Sequence, residues 1–345
     1  MLTPAQLLDL NIHEWGTIEA DFVHADLFLG NGFSIALDNR FTYTSIYDKF
    51  LTNLEPADRD KFAEFKQTFA TTNFEFLLES LKNAYKINRI LGLNTTEVTE
   101  IGIKLKNGLI KTIQEIHPEP DEEPWDDLGR ISRVMDQFNN LYTLNYDTFL
   151  YNIIMLNKDR YSDGEIEHPF QDYYWGKQHV GWLEFMNYQN YDFYRHVYYL
   201  HGALFLFRNG GANFKIKKRG RNLIEAITQE VRTKQFPIFV AEGNDADKMK
   251  TINSDRYLRF CYDKLVAANN KIVIYGASLG DSDNHILTAL KTRKPNLAAT
   301  QRDLAISIYI GERTANDIRG DRLHFEAKFN GYLGDIKFFA SHTLM

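Results

Sequence analysis

Apolar positions along this chain follow two periods, and the period switches along its length. "ADLFLGNGFSIAL" (25–37) opens with an unbroken apolar run that ends at glycine, which predicts a short buried strand, a turn and a helix start. From about 41 to 138, apolar residues recur every three or four positions. "PADRDKFAEFKQTF", "NFEFLLESLKNAYKINRIL" and "TEIGIKLKNGLIKTIQEI" therefore predict amphipathic helices. The acidic, proline-bearing "HPEPDEEPWDDLG" (117–129) predicts a loop before one more helix. Strand-like runs then return as "LYTLNYD", "VYYLHG", "LFLFR", "PIFVAEG", "KIVIYGASLG", "LAISIYI" and "DIKFFA", with helical runs between several of them. Apolar strands alternating with helices predict an α/β, Rossmann-like core with a mainly parallel sheet.

This pattern gives one α/β domain over 1–345, with a helical insertion over 41–138 after the first strand. Residues 157–195 are polar and aromatic without sustained period, which predicts a functional loop or a small insert. With 345 residues, 44% of them hydrophobic, the chain can bury a large core. Its formal net charge of −6 offers no basic field for nucleic acid or an anionic membrane. No apolar run approaches the ~20 residues that span a bilayer, and the N-terminus carries no secretory pattern. The single cysteine, Cys261, excludes a thiolate zinc cluster and an intrachain disulfide, and its helical surroundings predict a buried structural thiol. A soluble, cytoplasmic protein is expected.

Chemistry concentrates where strands end. At "LFLGNGFS", Gly30, Asn31, Gly32, Phe33 and Ser34 form a strand-turn-helix start, which is either an ordinary turn or a cradle for phosphate. At "TLNYD", a strand delivers Asn145 and Asp147; at "YLHG", another delivers His201 beside a glycine that would let a ligand approach. "YGASLGDSDNHIL" (275–287) places Gly276, Ser278 and Asp281 between a strand and a helix. Asp281 or Ser282 caps that helix, or this turn is a second lobe of one cofactor site. Asp281, Asp283 and His285 lack the glycine and distal glutamate of a calcium loop, so no metal is expected.

In their order along the chain, Gly30-Asn31-Gly32-Phe33-Ser34, Asn145-Tyr146-Asp147, His201-Gly202 and Gly276-Ala277-Ser278 resemble the SIR2 superfamily of NAD-consuming proteins. The stretch from "PIFVAEG" to "NHIL" is more similar to bacterial SIR2-like proteins of the DUF4917 type than to deacetylating sirtuins. Asn31 stands where the superfamily has alanine, and the four zinc cysteines of sirtuins have no counterpart. The resemblance implies NAD as substrate, with no metal, and hydrolysis to nicotinamide and ADP-ribose. Asn145 would bind the ribose or the attacking water, Asp147 the nicotinamide carboxamide, and His201 would accept a proton. Residues 30–34 would hold the pyrophosphate, and Gly276, Ser278 and Asp281 would border the adenosine. It further implies an antiphage effector that depletes NAD, held in check by homo-oligomerisation or by a partner such as a defence-system ATPase. The alternatives are an NAD- or ADP-ribose-binding sensor and a SIR2-type protein deacylase. The aromatic segment from Trp175 to Tyr194 stands in chain order where sirtuins carry zinc. It is expected to be a regulatory cover or contact, or simply a lid packed on the sheet.

Overall fold

The computed structural model describes residues 2–118, 125–176, 182–187, 194–209, 211–217, 223–232, 237–240, 244–292 and 302–345. Helices α1 (Pro4–Asp9) and α2 (Trp15–Ile18) precede strand β1 (Asp26–Leu29). Helix α3 (Asn31–Leu37) leads into α4 (Tyr43–Thr52), α5 (Pro56–Thr68), α6 (Phe74–Ile90), α7 (Thr96–Ile116) and α8 (Trp125–Val134). Strand β2 (Leu141–Thr143) and α9 (Phe149–Ser162) follow, then β3 (Phe170–Gln171), β4 (Tyr174–Trp175), β5 (Trp182–Phe185), β6 (Arg195–Tyr199), β7 (Gly202–Asn209) and β8 (Ala212–Ile216). The chain continues through α10 (Leu223–Arg232), β9 (Pro237–Phe239), α11 (Asp245–Ser254), α12 (Arg256–Val266), β10 (Lys271–Tyr275) and α13 (Asn284–Lys291). It closes with β11 (Asp303–Ile308), α14 (Ala315–Lys328) and β12 (Ile336–Ala340).

Seven strands form a wholly parallel sheet in the order β12-β11-β10-β1-β2-β6-β3. Its central strands are buried along their length, which is why they read as continuous apolar runs. From β1 the chain first builds outward through β2 and β6, then crosses back to lay β10, β11 and β12 on the other side. The junction of β1 and β10 is thus a topological switch point, where open parallel sheets leave a crevice beyond their strand ends.

Helices α4 to α8 lie between β1 and β2 in the chain and form for local reasons. Asn73 caps α6 by accepting from the backbone N–H of Glu75 and Phe76. On α7, Leu105, Leu109, Ile113 and Ile116 present one buried face at helical spacing. Apolar side chains of these helices join the sheet in one hydrophobic cluster.

The second sheet departs from expectation. Strands β7 and β9, which read as members of the parallel core, pair antiparallel in a five-stranded sheet ordered β4-β5-β8-β7-β9. Only Leu200 and His201 separate β6 from β7, yet the two strands belong to different sheets. Gly202 makes the corner with φ +84°, and a Cβ there would lie 1.9 Å from the Ile238 carbonyl oxygen. The His-Gly glycine therefore serves the passage of β7 against β9.

The described residues of the stretch 157–195 also hold more regular structure than their sequence implies. The first six complete α9; β3 edges the parallel sheet, and β4 and β5 enter the second sheet. Strands of two to four residues are too short to display a period. Within the Trp175–Tyr194 segment, Phe185 is buried against Tyr174, Tyr257 and Phe260, and Trp182 meets Phe207 and Phe214 edge-on. These two aromatics pack the second sheet and α12. Residues 177–181 and 188–193 of that segment lie outside the described residues.

Candidate functional site

The C-terminal ends of β1, β2 and β10 and the corner after β6 surround a cavity of about 300 Å³. Its floor carries Gly30, Asn31, Gly32, Asn145, Asp147, His201, Gly276 and Ser278. Its opposite wall comes from the helices between β1 and β2: Tyr43 and Ile46 on α4, Phe74 and Glu75 on α6, Leu109 and Ile113 on α7. The result is a mostly apolar roof, with Glu75 as its charged member, over a polar floor.

Close contact between two turns makes the floor. The Gly30 N–H donates to the Tyr275 carbonyl at 2.9 Å, and the Gly32 N–H to the Gly276 carbonyl at 2.8 Å. A Cβ on Gly30 would stand 2.5 Å from the Ala277 Cα. On Gly276, which holds φ +66°, it would stand 2.6 Å from the Phe33 nitrogen. These glycines let the β1 and β10 turns touch across the switch point.

From that floor a polar network runs into the core. The Asn145 amide donates to the Gly30 carbonyl at 3.0 Å and to the Ser34 hydroxyl at 2.8 Å. Ser34 in turn donates to Asp147 Oδ2, and the Phe149 N–H donates to Asp147 Oδ1 at 2.9 Å. Both amide hydrogens of Asn145 are thereby used, which leaves its Oδ1 as the atom able to accept further. Burial pushes the Asp147 carboxyl above the usual aspartate range, against the hydrogen bonds from Ser34 and the backbone.

Sequence reasoning placed most of these residues at one site, and three of its candidates sit elsewhere. Ser34 is fully buried under the floor, where it joins Asn145 to Asp147 and has no surface to offer a phosphate. Phe33 is likewise core. Asp281 points outward, its side chain 97% exposed and paired with Lys328 at 3.0 Å. Neither Asp281 nor Ser282 caps α13 through its side chain; Asp283 occupies the cap position without a capping bond. Two residues along the same turn, Asp283 faces inward and lines the cavity.

A second group joins His201 to Asp283 and His285, and adds Asp245 and Lys248, which the sequence did not single out. His201 Nε2 lies 2.9 Å from His285 Nε2, and His285 Nδ1 lies 2.9 Å from Asp245 Oδ1. Burial drives His201 well below the ordinary histidine range, and Lys248 and His285 push the same way. Burial also lowers His285, against the pull of Asp283 and Asp245. Beside them, the buried Lys248 ammonium meets Glu75 at 2.7 Å and Asp283 at 3.0 Å. Burial opposes its charge, but the two carboxylates outweigh that and hold its pKa above the usual value. His201, His285 and Asp283 offer ligand atoms all within 4.8 Å of one another, the one such group among the described residues. In the sequence Asp245, Lys248 and His285 are single polar residues on helices; only Lys248, four positions before the apolar Ile252, sits where a buried face is expected.

A parallel α/β protein with a polar, charge-bearing cavity at its switch point is the class these features define. The chain belongs to the family described as "Domain of unknown function (DUF4917)", whose model matches residues 27–343. No curated protein matches it. Among the described residues no helix is long and apolar enough to cross a membrane.

Proposed function

We propose that the chain cleaves NAD between nicotinamide and ribose, releasing nicotinamide and ADP-ribose. The observation that carries this reading is the convergence of Asn145, Asp147 and His201 with the Gly30–Gly32 and Gly276–Ser278 turns on one cavity. The resemblance of those motifs, in their order, to SIR2-like NAD-consuming proteins supports it.

The chemistry asks for little proton transfer at the leaving group, because nicotinamide departs neutral from a cationic ring. The demand is to stabilise an oxocarbenium-like ribosyl group, exclude bulk water and aim one water at it. Acidic side chains of Asp147, Glu75 and Asp283 border the cavity and outnumber the one buried ammonium, Lys248, that pairs with two of them. Ile46, Phe74, Leu109 and Ile113 form the dry wall. Asn145 Oδ1 is the acceptor for a ribose hydroxyl or the water, and His201 takes the proton the water loses. The reading needs no metal. It further implies a resting state restrained by self-association or by a partner protein, as an NAD-depleting defence effector would need.

Chromatography of NAD incubated with the pure protein separates this reading from its rivals. Equal release of nicotinamide and ADP-ribose supports it. Retention of intact NAD on the protein would move the assignment to a sensor, and nicotinamide release only with acylated peptide would move it to a deacylase.

A further inference from the structure

We propose that Asp245 and His285 are positioning residues that hold His201 with its proton on Nε2 and its free lone pair on Nδ1. The reaction served rests on the NAD-cleaving reading; the proton arrangement does not. It follows from donor and acceptor capacity. Asp245 Oδ1 receives both the backbone N–H of His285 and, at 2.9 Å, its ring Nδ1. An ionised carboxylate only accepts, so His285 Nδ1 carries a hydrogen. Burial lowers the His285 pKa and so favours the neutral ring, in which Nε2 is the bare nitrogen. The 2.9 Å contact between the two Nε2 atoms then requires His201 to donate. Among the described residues this is the only hydrogen bond of the His201 ring, and His201 lines the cavity. Its Nδ1 is therefore the base.

The arrangement also gives an accepted proton somewhere to go. When a proton bonds to His201 Nδ1, the Nε2–H proton passes to His285 Nε2. The positive charge then rests on His285, beside Asp245. Lys248, fully buried and bound to Glu75 and Asp283, opposes positive charge on either ring, while Asp245 and Asp283 favour it on His285 alone. Transfer toward Asp245 moves the charge onto the ring that a carboxylate neutralises.

Geometry favours this proton chain over a metal centre built from the same side chains. Two imidazoles on a tetrahedral zinc at ~2.0–2.1 Å hold their nitrogens about 3.3 Å apart. Here they stand at hydrogen-bond distance, and the third potential ligand, Asp283, already binds the Lys248 ammonium at 3.0 Å.

The test is nitrogen NMR of the full chain with 15N-labelled histidine, with and without added zinc and with no NAD present. His201→Gln and His285→Gln assign the signals. We expect His201 to show a protonated Nε2 and a bare Nδ1, and His285 the reverse. Asp245→Ala, at a side chain 38% exposed, should fold and should mix the tautomers of both rings. Asp245→Asn keeps an acceptor oxygen and should restore them. In NAD cleavage, Asp245→Ala should lower kcat about tenfold or more while KM changes little, with Asp245→Asn intermediate. A protonated Nδ1 on His201 in the unmodified protein would overturn the proposal, as would coordination shifts on both rings with stoichiometric zinc. If wild type cleaves no NAD, the catalytic reading fails while the tautomers still decide this one. If it cleaves NAD and Asp245→Ala keeps wild-type kcat and tautomers, the positioning role fails alone.

Discussion

Single side chains in this protein join the cavity's polar residues to the core, and Ser34 is the clearest case. It accepts from Asn145 and donates to Asp147, all three buried. Ser34→Ala leaves a buried carboxylate without its hydroxyl donor and an amide without its acceptor. We expect a loss of about 1–3 kcal/mol in unfolding free energy by denaturant titration. A change within error would show that the network contributes nothing net. His117 tests burial in a different way. Its Nε2 meets the Thr148 hydroxyl and burial lowers its pKa to about 4. Because that lies below the unfolded value of ~6.5, the unfolded chain binds more protons between the two values. The stabilisation is complete above pH ~6.5 and is lost as pH falls toward 4, amounting to roughly 3 kcal/mol. Asp147 and Glu75, held up by burial, shift stability the opposite way, but they are common to wild type and variant. His117→Gln should therefore lose less stability than wild type between pH 7 and 4. Parallel Tm curves would contradict the assignment. At this scale the sequence displayed Asn145, Asp147 and His201 because each ends a strand. It hid Asp245 and Lys248, and the pairing of His285 with His201, because one polar residue on a helix does not announce its partner.

At the scale of elements, legibility followed length. Helices α5, α6 and α7 run for 13 to 21 residues and showed their period plainly. The buried strands β1, β10 and β11 showed as apolar runs bounded by turns. Strand partners did not show. β7 is as apolar as a central parallel strand, since six of its eight residues are buried. What sends it into the antiparallel sheet is the corner at Gly202. That corner yields a paired prediction. Gly202 and Gly164 have φ of +84° and +77°, but an added Cβ meets backbone at 1.9 Å at Gly202 and nothing within 4 Å at Gly164. Gly164→Ala should show backbone strain alone, of order 1 kcal/mol. Gly202→Ala should cost several times that or fail to fold. Equal Tm shifts would mean that the corner tolerates a side chain.

For the whole molecule, the parallel sheet was readable because a parallel α/β core needs buried strands and intervening helices, and both leave patterns. The second sheet was not, because its short strands pair with partners far apart in sequence, such as Trp182 with Ile216 and Gly202 with Phe239. The cavity itself depends on both scales. The sheet order supplies the switch point, and the helices between β1 and β2 supply the roof. The central claim, that this cavity splits NAD, is tested most directly by nicotinamide release from pure wild type beside His201→Ala, a variant checked for unchanged Tm. The account predicts stoichiometric nicotinamide and ADP-ribose from wild type, and a loss of ~100-fold or more in the variant. Wild type that leaves NAD intact, alone and with its assembly state varied by concentration, would contradict it, as would a folded His201→Ala with full activity.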